Sequence, residues 1–452
     1  MTKATIVALI ALLFMPLLAL SQEKQPVSVD TLSNQVNTLK KDLGVLKRIK
    51  VSGYVQAQFQ IADSAGQASF AGGNFAPGVD KRFMVRRGRL KVAYTAPAND
   101  KGISVSQYVL QLDASERGFA LKEAYAKITD PWSGWVSLHI GMFDNPFGFE
   151  VPYSSGLMES PERGRMSQLH FPNEGEVGAM LTLQGPKGSK WNWLKWQAGF
   201  FNGNGSPSSG GDVSDFDKKK DFSTRLGMER TTKSEKFKYG LGISYYDGGF
   251  RIDSVSTYKY GTDAAGTKGF ILDTKAEDNG SVSINTRDFT TRKYYGADAQ
   301  ISMNWKGGTT TLRGEYITGE QPANSSSAKS PNDKTAISKD VFARNFSGAY
   351  FYFVQTIMKS PFAVVVKYDY YDPNTDVEGD DIGKSVTGTA KATTATDLKV
   401  DTWGFGAIYN IDSNVKITAY YDMVTNEISK NLSSYTQDLT DNVFTLRAQV
   451  KF

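Results

Sequence analysis

The chain has 452 residues, 52 Lys and Arg against 47 Asp and Glu, a net charge of +5 and no cysteine. This excludes a disulfide framework, a thiolate metal site and a cysteine nucleophile, and charges of both signs scattered along the chain leave no nucleic-acid footprint. The length exceeds an ordinary single soluble core, yet no linker divides it, and after residue 20 no apolar run reaches the ~18 residues of a membrane helix.

A chain of negative mean hydropathy, −0.37, can still cross a membrane as a β-barrel, because only alternate residues of each strand meet lipid. In chain order, residues 1–21 have the form of a secretory signal. Lys3 precedes an apolar core from Ile6 to Leu20, interrupted only by Pro16, and Ala19-Leu20-Ser21 offers small residues for cleavage before Gln22. Residues 22–48 form a separate periplasmic segment. In it Leu32, Val36, Leu39, Leu43 and Leu46 are spaced four, three, four and three apart, a short coiled-coil-like heptad seam. Two heptads are too short to stand alone. They either join copies already held together by a trimeric barrel or make one amphipathic helix packed on the barrel.

From Ile49 to Phe452 the period becomes two. Sixteen strands are expected, at 49–62, 83–96, 103–115, 119–130, 136–145, 176–185, 194–203, 222–231, 237–248, 292–305, 309–319, 346–357, 362–372, 399–411, 414–425 and 441–452. Each is long enough for a tilted transmembrane strand of ~9–11 residues. Short connections alternate with long ones, Glu116–Gly118 excepted, as in an outer-membrane barrel with short periplasmic turns and long outer loops. The fold class expected for 49–452 is therefore all-β, a 16-stranded antiparallel transmembrane barrel.

The faces agree with this. In the last strand Phe444, Leu446, Ala448, Val450 and Phe452 oppose Thr445, Arg447, Gln449 and Lys451. Turning the charged side to lipid would cost ~2–4 kcal/mol for each Arg or Lys near the midplane, so that side must line water. Strand 346–357 is aromatic on both faces, which calls for a subunit contact or another register. Phe452 resembles the terminal aromatic by which barrel-assembly machinery recognises outer-membrane proteins.

The stretch Gly141–Met166, GMFDNPFGFEVPYSSGLMESPERGRM, is too long for a hairpin and too apolar for disorder. We take it as a constriction loop folded into the barrel. In FMVRRGRLKVAY (83–94), Arg87, Arg89 and Lys91 share one face of one strand, ~6.5–7 Å apart, and form a ladder along the lumen; Arg86 falls on the other parity, near the outer rim. Parity places Lys127, Arg225, Arg292, Arg313 and Arg447 in the lumen too, with Lys50, Lys195, Lys238, Lys367, Lys416 and Lys451, against fewer carboxylates. A cationic lumen favours anions. Arg163 and Arg165 of the loop either hold a solute anion by their forked donors or pair with Glu150, Glu159 and Glu162.

FMVRRGRLKV (83–92), LKEAYAKI (121–128) and GMFDNPFGFE…YSS…MESPER (141–163) resemble the phosphate-selective porins O and P. The resemblance implies a trimeric sixteen-stranded barrel with an arginine ladder. Arg86, Arg87 and Arg89 correspond to its arginine motif, and Pro146, Phe147, Glu150, Ser154, Ser155, Glu159 and Arg163 to its constriction-loop pattern. The sequence departs at Asp144 and Asn145, where a basic residue would precede Pro-Phe. The expected function is an outer-membrane porin for passive diffusion of small solutes, anions such as phosphate preferred. The expected partners are membrane lipid, two further copies and small anionic solutes. The alternatives are a non-selective porin and a surface barrel that adheres through loops 249–291 and 373–398. No cofactor or metal is called for: the acidic cluster Asp376, Glu378, Asp380 and Asp381 fits a solvated loop better than a Ca²⁺ site. An enzyme is not expected, because the two histidines, His139 and His170, lie in no nucleophile motif.

Overall fold

The computed structural model describes residues 29–205, 214–251, 256–276, 282–284, 289–330 and 339–452; the expected signal, 1–21, lies outside them. Two units are present, 1–48 and 49–452. In the first, helix α1 (Val29–Leu46) carries Asp30 in its first turn, where a carboxylate favours the helix dipole.

The second unit contains β1 (Ile49–Ala62), β2 (Lys81–Thr95), β3 (Ser106–Ser115), β4 (Gly118–Thr129), β5 (Val136–Asp144), β6 (Gly175–Gln184), β7 (Leu194–Phe201), β8 (Asp221–Thr231), β9 (Phe237–Arg251), β10 (Thr257–Thr262), β11 (Lys268–Leu272), β12 (Thr274–Ala276), β13 (Val282–Ile284), β14 (Phe289–Trp305), β15 (Gly308–Ala323), β16 (Val341–Thr356), β17 (Phe362–Asp372), β18 (Val400–Asn410), β19 (Val415–Asn426) and β20 (Val443–Lys451). β1–β9 and β14–β20 are the wall, a closed barrel of sixteen antiparallel strands. β20 pairs with β1 from Tyr54↔Lys451 to Ala62↔Val443, and Gly53 and Phe452 exchange both backbone hydrogen bonds, at 3.1 and 3.0 Å. The closed sheet has no open edge to satisfy. All sixteen expected strands lie in the wall, within a few residues of their expected ends.

The short turns are built by local polar chemistry. After β4 the Asp130 carboxylate accepts hydrogen bonds from the backbone N–H of Trp132, Ser133 and Val136 at 3.2, 2.7 and 3.0 Å. These donors favour its charged form and hold it well below the usual carboxylate range. Outward residues of the wall are apolar and exposed: Val55, Leu90, Leu110, Ile140, Leu181, Ile243, Ile301, Phe405 and Leu446 among them. Burying such side chains in lipid is worth roughly 1.5–3 kcal/mol each.

Two β-bulges alter the parity reading. Gln56 faces Arg87 while Ala57 faces Val85, so Arg86 is the extra residue; a bulge leaves one residue unpaired and re-aims its side chain. Arg86 therefore turns inward, not to the opposite parity. Likewise Gln111 faces Glu123 while Leu112 faces Leu121, which turns Lys122 inward. Each bulge keeps an apolar residue on the lipid face on both sides of the break: Phe83 and Val85 before the first and Leu90 after it are exposed.

The connection 249–291 holds strands the sequence reading missed. β10 pairs with β11 and, in parallel, with the first residues of β16, Thr257↔Val341 to Lys259↔Ala343. Phe270 bridges to Lys391 of connection 373–398. Tyr258, Phe270 and Phe342 form one apolar cluster there, and Val377, Ile382 and Leu398 another. In 373–398, Asp380 pairs with Lys430, Asp381 with Lys384 and Asp397 with Arg344, and Asp376 accepts a hydrogen bond from Asn345.

Candidate functional site: an inward loop and the charges around it

Residues 145–174 leave the wall after β5 and run into the barrel. Asn145 fixes the root. Its amide oxygen accepts from Ser223 at 2.6 Å and its Nδ2 donates to Glu176 at 3.3 Å. Phe147 packs against Phe171 and Tyr294, above Gly296, where a Cβ would stand 3.0 Å from the Phe147 ring. At Gly148 the backbone has φ +63, and a Cβ would fall 1.8 Å from a Glu315 carboxylate oxygen. Only glycine fits there. The close approach lets Glu315 accept from the N–H of Phe149 and Glu150, both at 3.0 Å, and from Tyr350 at 2.9 Å. Glu150 in turn accepts from Gly164 N–H at 2.9 Å and Ser167 at 2.7 Å, which folds the loop on itself ahead of the short helix α2 (Arg165–His170).

This explains strand 346–357. Its inward aromatics, Phe346, Tyr350 and Tyr352, are buried in the same cluster as Phe147, Val151, Met166, Leu169 and Phe171 of the loop. Neither a subunit contact nor another register is needed. His170 belongs to this packing: its ring lies 4.0 Å from Phe346 and 4.8 Å from Tyr294.

The loop tip is tied to the wall by polar contacts. Ser155 meets Tyr54 at 2.7 Å, and its carbonyl accepts from Gln56 at 3.0 Å. Ser154 is exposed and its carbonyl accepts from Leu157 N–H at 2.9 Å. Glu159 is paired with Arg313, and Arg313 also stacks on Tyr153 at 4.9 Å. Glu162 lies among three arginines: Arg86 at 2.8 Å, Arg87 at 2.7 Å and Arg447 at 2.9 Å. Glu174 receives Lys122 and Arg163, with Arg89 at 3.8 Å. Lys122 also reaches Asp144 at 3.1 Å. The bulge at Lys122 thus supplies a cation beside Asp144 and Asn145, where the linear sequence has none.

The predicted ladder is therefore inward but mostly engaged. Arg87, Arg89 and Arg447 are buried against carboxylates. Lys91 pairs with Glu123 at 2.5 Å, Arg225 with Asp298 at 2.6 Å and Arg292 with Asp221 at 2.9 Å. Arg163 is structural, with its guanidinium on the Glu150 and Tyr153 carbonyls as well as Glu174. Arg165 stacks on Phe70 at 4.2 Å. Lys127 and Lys195, on β4 and β7, form no ion pair among the described residues, and both are half-buried. The sequence reading missed Arg86 and Lys122 as inward groups. The signal was present: Phe83 and Val85 share parity with Arg87 and Arg89, and both sets can be placed correctly only if one residue bulges out of register.

Loop residues 146–172 make no hydrogen bond or ion pair with β3–β8 among the described residues. On that part of the wall Tyr125, Lys127, His139 and Lys195 are half-buried, and Phe143, Met180 and Phe201 are buried. Toward the long loops a cavity of about 500 Å³ opens beside Arg86, Arg87, Arg89, Arg117 and Lys329. Toward the short turns one of about 240 Å³ lies beside Glu159, Lys416 and Lys451.

No protein-family model and no curated protein matches the sequence. Among solved structures the barrel is similar to the outer membrane channel DcaP of Acinetobacter baumannii, with a TM-score of 0.50 and 10% identity over 89% of this chain and 97% of that one. It is similar also to OmpT, an outer membrane protein of Vibrio cholerae in trimer form, with a TM-score of 0.47 and 8% identity over 89% and 99%. An anion-selective porin from Comamonas acidovorans gives 0.46 and 9% over 89% and 99%. At these identities the likeness is one of fold. A closed barrel of sixteen antiparallel strands with an apolar outer belt is the architecture of bacterial outer-membrane proteins, and the outer membrane is where this chain belongs.

Proposed function

We propose that the protein is a channel through which small solutes diffuse across the bacterial outer membrane, with a preference for anions, phosphate included. The observation that carries the preference is the surplus of inward cations, with Lys127 and Lys195, on β4 and β7, in no ion pair among the described residues and half-buried. A positive lumen raises the local concentration of anions. The similarity of 83–92, 121–128 and 141–163 to the phosphate-selective porins supports the same reading. We further take residues 1–21 as the export signal and the heptads of 22–48 as a contact among three copies, with Phe452 the mark read by assembly machinery.

One observation favours weak over strong selectivity: most inward arginines already hold a carboxylate. The non-selective porin is the second reading for that reason. The test is the reversal potential of the purified full chain in a planar bilayer under a salt gradient, with chloride and then phosphate as the anion. An anion-selective sign supports the proposal. A cation-selective sign refutes the preference, and the lack of any steady current refutes the channel.

A further inference from the structure

A water-filled barrel needs a polar inner face, yet the inner face of β4–β7 carries a group of aromatic rings between Glu123, Lys127 and Lys195. Gly178 leaves room for the Phe201 ring, and Gly141 lets the backbones of β4 and β5 approach closely. Tyr125 stands opposite Gly141 in the ladder, and Gly141 opposite Gly178. A Cβ on Gly141 would come 2.2 Å from the Ala124 carbonyl, and one on Gly178 would come 2.6 Å from the Phe201 ring. Over this recess the rings of Tyr125, His139 and Phe143 are in mutual contact, at 5.7 and 5.8 Å between centroids. Phe143 and Phe201 are buried at its base, and Tyr125 and His139 keep part of their faces open.

Two cations flank these rings. Lys127 is the direct cross-strand partner of His139, with Cβ atoms roughly 4.5–5.5 Å apart. Lys195 lies in electrostatic range of both Lys127 and His139. The carboxylates nearby are taken: Glu123 by Lys91 and Asp144 by Lys122. His139 Nδ1 has no hydrogen-bond partner among the described residues.

We propose that this patch is a binding station for organic carboxylates with a flat aromatic body. The carboxylate meets the Lys127 and Lys195 ammonium groups, and the ring lies on Tyr125 and His139. Two lysines alone would hold any anion; the aromatic floor adds contact that inorganic phosphate and acetate cannot use. The inference rests on the channel reading and names its solute class.

The probe is benzoate against acetate and inorganic phosphate, each added to a chloride current through the purified full chain in a planar bilayer. Benzoate is expected to reduce the current at a concentration about tenfold lower than acetate, close to the contribution of one aromatic pair. Lys127→Gln with Lys195→Gln, which removes no packed side chain, is expected to abolish that block. Tyr125→Ser is expected to bring benzoate down to the level of acetate. Equal block by benzoate and acetate, stronger block by phosphate, or block that survives the double lysine change would overturn the proposal. A chloride current present in all these cases keeps the channel reading intact; a protein with no chloride current overturns both.

Discussion

On the side of the interior formed by β15, β20 and β2, Arg313, Arg447 and Arg87 are buried against Glu159 and Glu162 of an inserted loop. On the side formed by β4–β7, Lys127, Lys195, Tyr125 and His139 are half-buried and make no hydrogen bond or ion pair with loop residues 146–172 among the described residues, while Lys122 of β4 is held by Glu174 at the loop's end. The difference follows from the side chains. A guanidinium offers a rigid fork of donors that matches a carboxylate in two contacts and is weakly hydrated, so it can be buried in a pair. An ammonium is a compact, strongly hydrated charge, and here it is buried only against a carboxylate, as Lys122 is by Glu174 and Lys367 by Asp369, whereas Lys127 and Lys195 have none and stay half-buried. The same sign of charge thus does structural work where a carboxylate answers it and remains available to solutes at Lys127 and Lys195.

The largest effect is expected where this division is broken. Glu162→Ala leaves Arg86, Arg87 and Arg447 facing one another without a counter-charge. Removing one partner from a buried cluster of this kind costs about 3–5 kcal/mol. The loop should detach, with a larger and noisier single-channel conductance and new protease sensitivity between β5 and β6. Gly148→Ala should act at the root of the same loop by displacing Glu315 from its three donors. We expect about 2–4 kcal/mol from strain and lost hydrogen bonds, read as a lowered unfolding temperature and a changed conductance.

On the other side, Lys127→Glu with Lys195→Glu should leave the loop seated and reduce the anion preference. Reversal potential should move while conductance changes little. Smallest of all should be Lys384→Ala. Its pair with Asp381 at 3.5 Å is exposed, and surface pairs of this kind contribute ~0–1 kcal/mol. Neither stability nor current should shift measurably.

Much of the wall was legible because its rule is local. Alternation showed which residues of β1, β19 and β20 face lipid and how many strands there are, and the sorting of loop lengths pointed to an outer-membrane barrel. Two kinds of feature were not legible in the same way. Arg86 and Lys122 depend on bulges, which a strict period of two reads as the wrong face, although the apolar residues on either side of each bulge betray the break. The pairing of the ladder depends on Glu159, Glu162 and Glu174, far from Arg313, Arg447 and Arg89 in sequence, and nothing in spacing joins them. The strands β10 and β11 were hidden by a loop rich in Gly, Thr, Asp and Lys; their order comes from Phe270 and Phe342 packing beneath them. Strand 346–357 looked anomalous because its inner aromatics need the loop's Phe147 and Phe171, which the strand alone cannot announce.

The central claim is that solutes feel the lysine wall more than the arginine cluster. It is tested most directly by the reversal potential of Lys127→Gln with Lys195→Gln beside that of the unaltered channel, in one bilayer set-up under one potassium chloride gradient. A clear loss of anion preference with an unchanged protease pattern of the loop is the predicted result. A reversal potential identical to that of the unaltered channel would contradict the account and return the selectivity to the arginines.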